Sequence, residues 1–332
     1  MSLPVLAEVV RSGFVEGHHA GSMLALRVDG SRAVWLGRPD SPIFPRSANK
    51  PLQAVAMLRA GLDLDGELLA VAAASHSGEA YHLDVVRRLL ASADLEPGML
   101  GNTPGLPLDE ASARAAVRAG LEPAPLMQNC SGKHAAMLAT CVVNGWPLGS
   151  YLDPAHPLQR RIGADVEELA GEAVAATGVD GCGAPLHAVS LSALARAFRR
   201  LVTAAAGSPQ RRVADAMRAY PFVVGGTGRA ATRLMSGIPG LLAKDAAEGV
   251  VVVATVVGEV VAVKIDDGAQ RAATPVAVAG LRALGYRAKV LDDLAEWPIL
   301  GGGRRVGQVR PVIPTATGPP EAPHPPRVRS LG

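Results

Sequence analysis

The chain has 332 residues, 48% of them hydrophobic and 19% charged, a balance that suits one large soluble domain or two intimate ones. Net charge is +3 with acids and bases interspersed and no long basic run, so nothing supports nucleic-acid binding or a polybasic membrane contact. Three cysteines, no signal-peptide pattern after Met-Ser-Leu-Pro, and an apolar stretch at 250–263 that is broken by Gly258-Glu259 together point to a reducing, cytoplasmic home away from membranes.

In chain order, residues 23–28 and 33–36 flank Asp29-Gly30 and read as two half-buried strands joined by a tight turn. Residues 46–53 follow as Arg-Ser-Ala-Asn-Lys-Pro-Leu-Gln. Pro51 is at home only near a helix start, and helical spacing continues to residue 60 before Gly61. Ser47 and Lys50 therefore stand one helical turn apart, a hydroxyl beside an amine that can serve as its base once desolvated.

The apolar run 68–74 leads into Ser75-His76-Ser77-Gly78-Glu79, which reads either as a loop presenting side chains to a cleft or as an exposed loop. Helical spacing recurs over 80–92, 110–119, 131–143, 157–176 and 191–205. The third of these opens with Asn129-Cys130-Ser131-Gly132-Lys133-His134, where Cys130, Lys133 and His134 share a helical face. Asp180-Gly181-Cys182-Gly183 places a second cysteine in a glycine-bounded turn. Two thiolates plus a nitrogen donor would suit zinc, and two buried structural cysteines are the competing reading.

Gly225-Gly226-Thr227-Gly228 lacks the lysine of a phosphate loop and reads as a turn first and a ligand loop second. Lys244 is expected just ahead of a strand at 250–257, which pairs with 260–265 around Gly258-Glu259. A helix over 275–284 follows. Strands at both ends with helices between them predict an α+β fold, in which N- and C-terminal strands share one antiparallel sheet. Residues 1–313 are expected to form one catalytic domain, and the proline-rich 314–332 a disordered tail.

In order, Arg46-Ser47-x-x-Lys50-Pro51, Ser75-His76-Ser77-Gly78-Glu79, Asn129-Cys130-Ser131-Gly132-Lys133-His134, Asp180-Gly181-Cys182 and Lys244-x-x-Ala247-x-Gly249 resemble the Rhizobium-type L-asparaginase family, also called bacterial asparaginase II. The resemblance implies a serine β-lactamase/penicillin-binding-like fold and hydrolysis of L-asparagine to aspartate and ammonia. It also implies two Ser-Lys pairs, Ser47 with Lys50 and Ser75 with Lys244. Arg46, Glu79, His134 and Asp180 would line the substrate, and Cys130, Lys133 and Cys182 would hold a substrate-orienting Zn2+. Two positions depart from the family pattern: Ala246 replaces a common glycine, and Asn49 fills a spacer where a small residue is usual. A homodimer is the default expectation. Two other functions share parts of this pattern. One is another Ser-Lys amide or β-lactam hydrolase, which would want Ser/Tyr-x-Asn and Lys-Thr/Ser-Gly elements that are missing here. The other is a non-catalytic, zinc-stabilised binding protein.

Overall fold

Runs of β-branched residues make the strands, and alternation decides which face each residue takes. The structure, a computed structural model, describes residues 2–313. Its strands are β1 (Val5–Arg11), β2 (Phe14–Leu26), β3 (Arg32–Leu36), β4 (Pro42–Ile43), β5 (Ala176–Val179), β6 (Pro185–Ser190), β7 (Leu242–Ala246), β8 (Val250–Ala254), β9 (Val260–Ile265), β10 (Trp297–Gly301) and β11 (Arg304–Pro311). The helices are α1 (Lys50–Arg59), α2 (Gly66–Ala72), α3 (Ala80–Ala91), α4 (Glu110–Arg118), α5 (Ser131–Asn144), α6 (Pro157–Ala170), α7 (Leu191–Thr203), α8 (Pro209–Ala219), α9 (Pro221–Val224), α10 (Ala230–Gly237), α11 (Gln270–Ala283) and α12 (Lys289–Asp293).

The main sheet runs β10-β11-β1-β2-β9-β8-β7, with β3 also on β2, and its pairs are antiparallel. Strands from the two ends of the chain thus lie side by side, as the α+β expectation requires. Every residue of β8 is buried, consistent with a central strand covered on both faces. Helices α7 and α11 pack on this sheet. The apolar stripe of α7, Leu191, Leu194, Phe198 and Leu201, has the i, i+3, i+4 spacing that buries one helical face. Helices α1, α2, α3, α5, α6 and α8 pack largely on one another, and a smaller sheet, β4-β6-β5, lies beside them.

Several boundaries differ from the sequence expectation for local physical reasons. The helix expected over 157–176 stops at Ala170, because Gly171 takes φ +69 and ends it with a left-handed cap. The helix expected to begin at Pro275 begins at Gln270 and carries the proline within it. The strand expected to reach residue 257 ends at Ala254, and Gly258 with φ +97 makes the turn into β9. Strands β1, β4, β5, β6, β7, β10 and β11 fall outside the sequence expectation; Lys244 does lie ahead of β8 as expected, but in the middle of a strand of its own, β7. The expected tail, 314–332, lies outside the described residues. Among the described residues, no helix is long and apolar enough to cross a membrane.

Candidate active site

Residues Arg46–Asn49 form one 3-10 turn that runs directly into α1, with Pro51 in the helix's first positions, where a missing N–H costs nothing. Arg46 enters the turn at φ +52, a conformation rare outside glycine and a sign of local backbone constraint. Ser47 is 9% exposed and carries no side-chain hydrogen bond among the described residues, whereas Lys50 is only 1% exposed. The Lys50 amine donates to the carbonyl oxygens of Ala74 at 2.7 Å and Asn129 at 3.3 Å, and lies 3.1 Å from Ser75 Oγ. Three partners suit an ammonium. They also suit a neutral amine whose two hydrogens go to the carbonyls and whose lone pair faces the Ser75 hydroxyl. Asn49 turns away from Lys50, donating its amide to His187 O at 3.1 Å.

Ser75 emerges from α2 into a buried loop clamped to the glycine-rich segment. The Ser75 N–H donates to Val224 O, and Ser77 Oγ donates to Gly225 O at 2.9 Å. Glu79 accepts from both the N–H and the hydroxyl of Thr227, each at 2.8 Å, so both carboxylate oxygens are engaged within the protein. Gly226, at φ +122, comes so near that a Cβ would lie 2.3 Å from Ser77 Oγ. The glycine run therefore permits close backbone approach. His76 Nδ1 accepts from Gly78 N–H, leaving Nε2–H to donate to Ser131 Oγ at 2.9 Å. Burial, helped by His82 and Lys50, pushes His76 well below its ordinary range and keeps this ring neutral.

Lys244 lies fully buried on β7, which packs against the Ser47 turn. Its amine donates to Asp245 O at 2.6 Å. Burial pushes Lys244 down to about 7, against the pull of Asp245 and with help from Lys50 and Arg229. A substantial neutral fraction near neutral pH gives it the character of a base.

Cys130, Lys133 and Cys182 converge from the start of α5 and from the turn after β5. Both thiols are buried, and Lys133 Nζ lies 3.1 Å from Cys182 Sγ. The Cys182 hydrogen bond pulls Cys130 well below the usual thiol range, against burial, while the same bond and burial push Cys182 up. Burial disfavours the Lys133 ammonium, yet the charges of Cys182 and Cys130 raise it on balance. Among the described residues, no group of three or more His, Cys, Asp or Glu could hold a metal. A site here needs the lysine, and two sulfurs plus one nitrogen fit the donor preference of zinc with one position left open. His134, on the same helix, has Nδ1 2.7 Å from the Tyr151 hydroxyl, which accepts from Gly101 N–H. Its buried Nε2 has no partner among the described residues.

At the mouth, Arg46 Nε donates to Asp180 Oδ1 at 2.7 Å, and Arg46 lies 3.6 Å from Glu248, itself at φ +61. Arg46 and Glu248 line a cavity of about 440 Å³ with Phe44, Val179 and Lys264, a size suited to a small molecule. The structure thus brings Lys50 to Ser75 and gathers Cys130, Lys133 and Cys182 together with Asp180, whose Oδ2 is 3.9 Å from Cys182 Sγ. It joins Lys244 to Asp245 and ties Glu79 to Thr227 instead of leaving it free. Tyr151 and Glu248, and the parts played by the Asn129 carbonyl and Thr227, carry no local sequence signal, because each meets its partner across a long stretch of chain.

The L-asparaginase II family model matches residues 7–311 of the chain. Among curated proteins no match was found. Among solved structures, a β-lactamase candidate from Bacteroides dorei is similar at 13% identity and a TM-score of 0.43, over 82% of this chain and 93% of that one. A simvastatin synthase from Aspergillus terreus, in a mutant form, is similar at 14% identity and a TM-score of 0.37, over 80% of this chain and 93% of that one. Both likenesses are too distant to bear on chemistry.

Proposed function

This chain belongs to the L-asparaginase II family, and from that premise we propose that it hydrolyses the side-chain amide of L-asparagine to aspartate and ammonia. The contact between the Lys50 amine and the Ser75 hydroxyl, one turn from a Ser47 hydroxyl with no partner of its own among the described residues, is the observation that carries this reading. Ser47 Oγ attacks the amide carbon, and its proton passes to Lys50, with Ser75 as the bridging hydroxyl. The donor to the oxyanion as the carbonyl becomes tetrahedral is the N–H of Ser47 itself, at the head of the 3-10 turn, because Lys50 N–H already goes to Ser47 O and Pro51 has none. Collapse of that intermediate expels ammonia, which takes the proton back through Ser75. Water then cleaves the Ser47 ester with Lys244, carried by the strand that packs against the Ser47 turn, as a second base, and aspartate leaves.

The substrate's carboxylate and ammonium have complementary partners in Arg46 and Asp180, which face each other at the mouth. His134 Nε2 offers a buried group still in need of a partner. Cys130, Lys133 and Cys182 would hold zinc, which when bound supplies a fixed positive charge that orients the substrate.

Ammonia release from asparagine by the purified protein, measured beside glutamine and a β-lactam, tests the reading. Ser47→Ala and Lys50→Ala should each lower kcat by more than about 100-fold, because nucleophile and base act only together. Lys50→Arg should be equally poor, since guanidinium does not give up its proton. Near-normal turnover by folded Ser47→Ala protein would remove Ser47 from the reaction.

A further inference from the structure

Asp245 takes no part in the hydrolysis outlined above, yet it sits beside Lys244 in unusual surroundings. The Lys244 amine donates to the backbone oxygen of Asp245, while the Asp245 carboxylate turns toward Arg229, the residue preceding α10. Arg229 Nη2 donates to Asp245 Oδ2 at 2.7 Å. The other oxygen, Oδ1, makes no hydrogen bond among the described residues and lies 3.6 Å from Lys244 Nζ. A partly buried carboxylate is thus held closely by one cation and loosely by another. On the Arg229 side opens a cavity of about 650 Å³, lined among others by Arg229, Arg233, Asp245, Gln270 and Trp297.

We propose that Asp245 and Arg229 are positioning residues for Lys244: the guanidinium holds the carboxylate back from the amine, so that Lys244 is oriented by Asp245 without being locked as its ion-pair partner. The proposal rests on the reading of Lys244 as a participant in proton transfer. A carboxylate in direct contact would favour the ammonium strongly, and its removal would favour the neutral amine. Arg229 works in the opposite sense, both by its own charge and by its hold on Asp245. The charged and titratable groups reaching Lys244 are Asp245 on its own strand, Arg229 ahead of α10, Lys50 on α1 and Cys130 ahead of α5. Of these, only Asp245 and Arg229 lie outside the proposed proton path and zinc ligands.

The chain has only five lysines, so the Lys244 side-chain carbon can be followed directly in 13C-lysine-labelled protein, with Lys244→Met assigning the resonance. In the wild type it should titrate with a midpoint of about 7. Asp245→Asn should move the midpoint down and Arg229→Met should move it up, each by about one pH unit or more. Arg229→Lys should stay near wild type. Ethylguanidinium, admitted through the cavity, should restore the Arg229→Met midpoint. The acid limb of kcat/KM for asparagine should follow the same displacements. Shifts of the same sign in Asp245→Asn and Arg229→Met, or no shift in either, would overturn the pair. Midpoints that move as stated while the rate profile stays fixed would uphold the pair and overturn the catalytic reading of Lys244.

Discussion

Lys50 shows how little of a site one residue reveals and how much its partners do. Its position three residues after Ser47 is legible as a motif, because one helical turn is a local relation. Its contact with Ser75, 25 residues away, and with the Asn129 carbonyl, 79 away, depends on how α1, α2 and α5 stack, which no short pattern encodes. The cysteines behave similarly. Cys130 and Lys133 share a helical face by spacing, but the approach of Cys182 comes from a distant turn. If the three hold one zinc, Cys130→Ala, Cys182→Ala and Lys133→Ala should each weaken zinc affinity by at least about tenfold, because three-donor sites lose most of their binding with any donor. Zinc should also leave as pH falls, since protons compete for both sulfurs and the amine. Metal analysis after dialysis is the check, independent of turnover; wild-type content in all three variants would return the cysteines to a packing role.

Elements with one strong period, such as α7, are legible because an apolar stripe needs only local information. Strand β7 is not, since Leu-Ala-Lys-Asp-Ala places a buried lysine and an acid where alternation would ask for apolar or exposed groups. A break in pattern of this kind is where a functional residue would be sought. The start of α5 makes the same point about glycine. Gly132 lies between Cys130 and Lys133, and a Cβ on it would sit 2.4 Å from the backbone oxygen of Val71 on α2. Backbone cannot swing aside as a side-chain tip can, so Gly132→Ala should force α5 away from α2 at a cost of about 2 kcal/mol, within the range for overpacking. The expected result is a Tm lower by several degrees together with weakened zinc retention, since the displaced turn carries Cys130 and Lys133. Unchanged Tm and metal content would mean that the α2–α5 approach is looser than the geometry indicates.

Across the whole molecule, the pairing of β1 with β11 joins the two ends of the described chain in one open sheet, so the last described strand is held by the first. The α+β arrangement is legible from strands at both ends, but the strands that complete the sheet are not. Nothing like the valine run of β8 marks them: β10 and β11 hold arginine, glycine and proline among their apolar residues, and most of their positions are at least partly exposed. Only Ile299 and Val309 are buried, the latter completely and in register with Val9. Removing residues 304–332 would strip β11 from between β10 and β1, leaving Val9 and Ile299 without that cover and the β1 edge unpaired. At about 1.5–3 kcal/mol for each large apolar side chain exposed, the loss approaches the stability of an ordinary domain. Removing only 314–332 spares every described strand of the sheet. The shorter truncation should therefore keep Tm within about 2 °C of the full chain, with asparagine turnover intact, while the longer one should aggregate or melt tens of degrees earlier. Calorimetry of both chains decides, and a large loss of Tm on removing 314–332 alone would place part of the folding unit beyond Ile313.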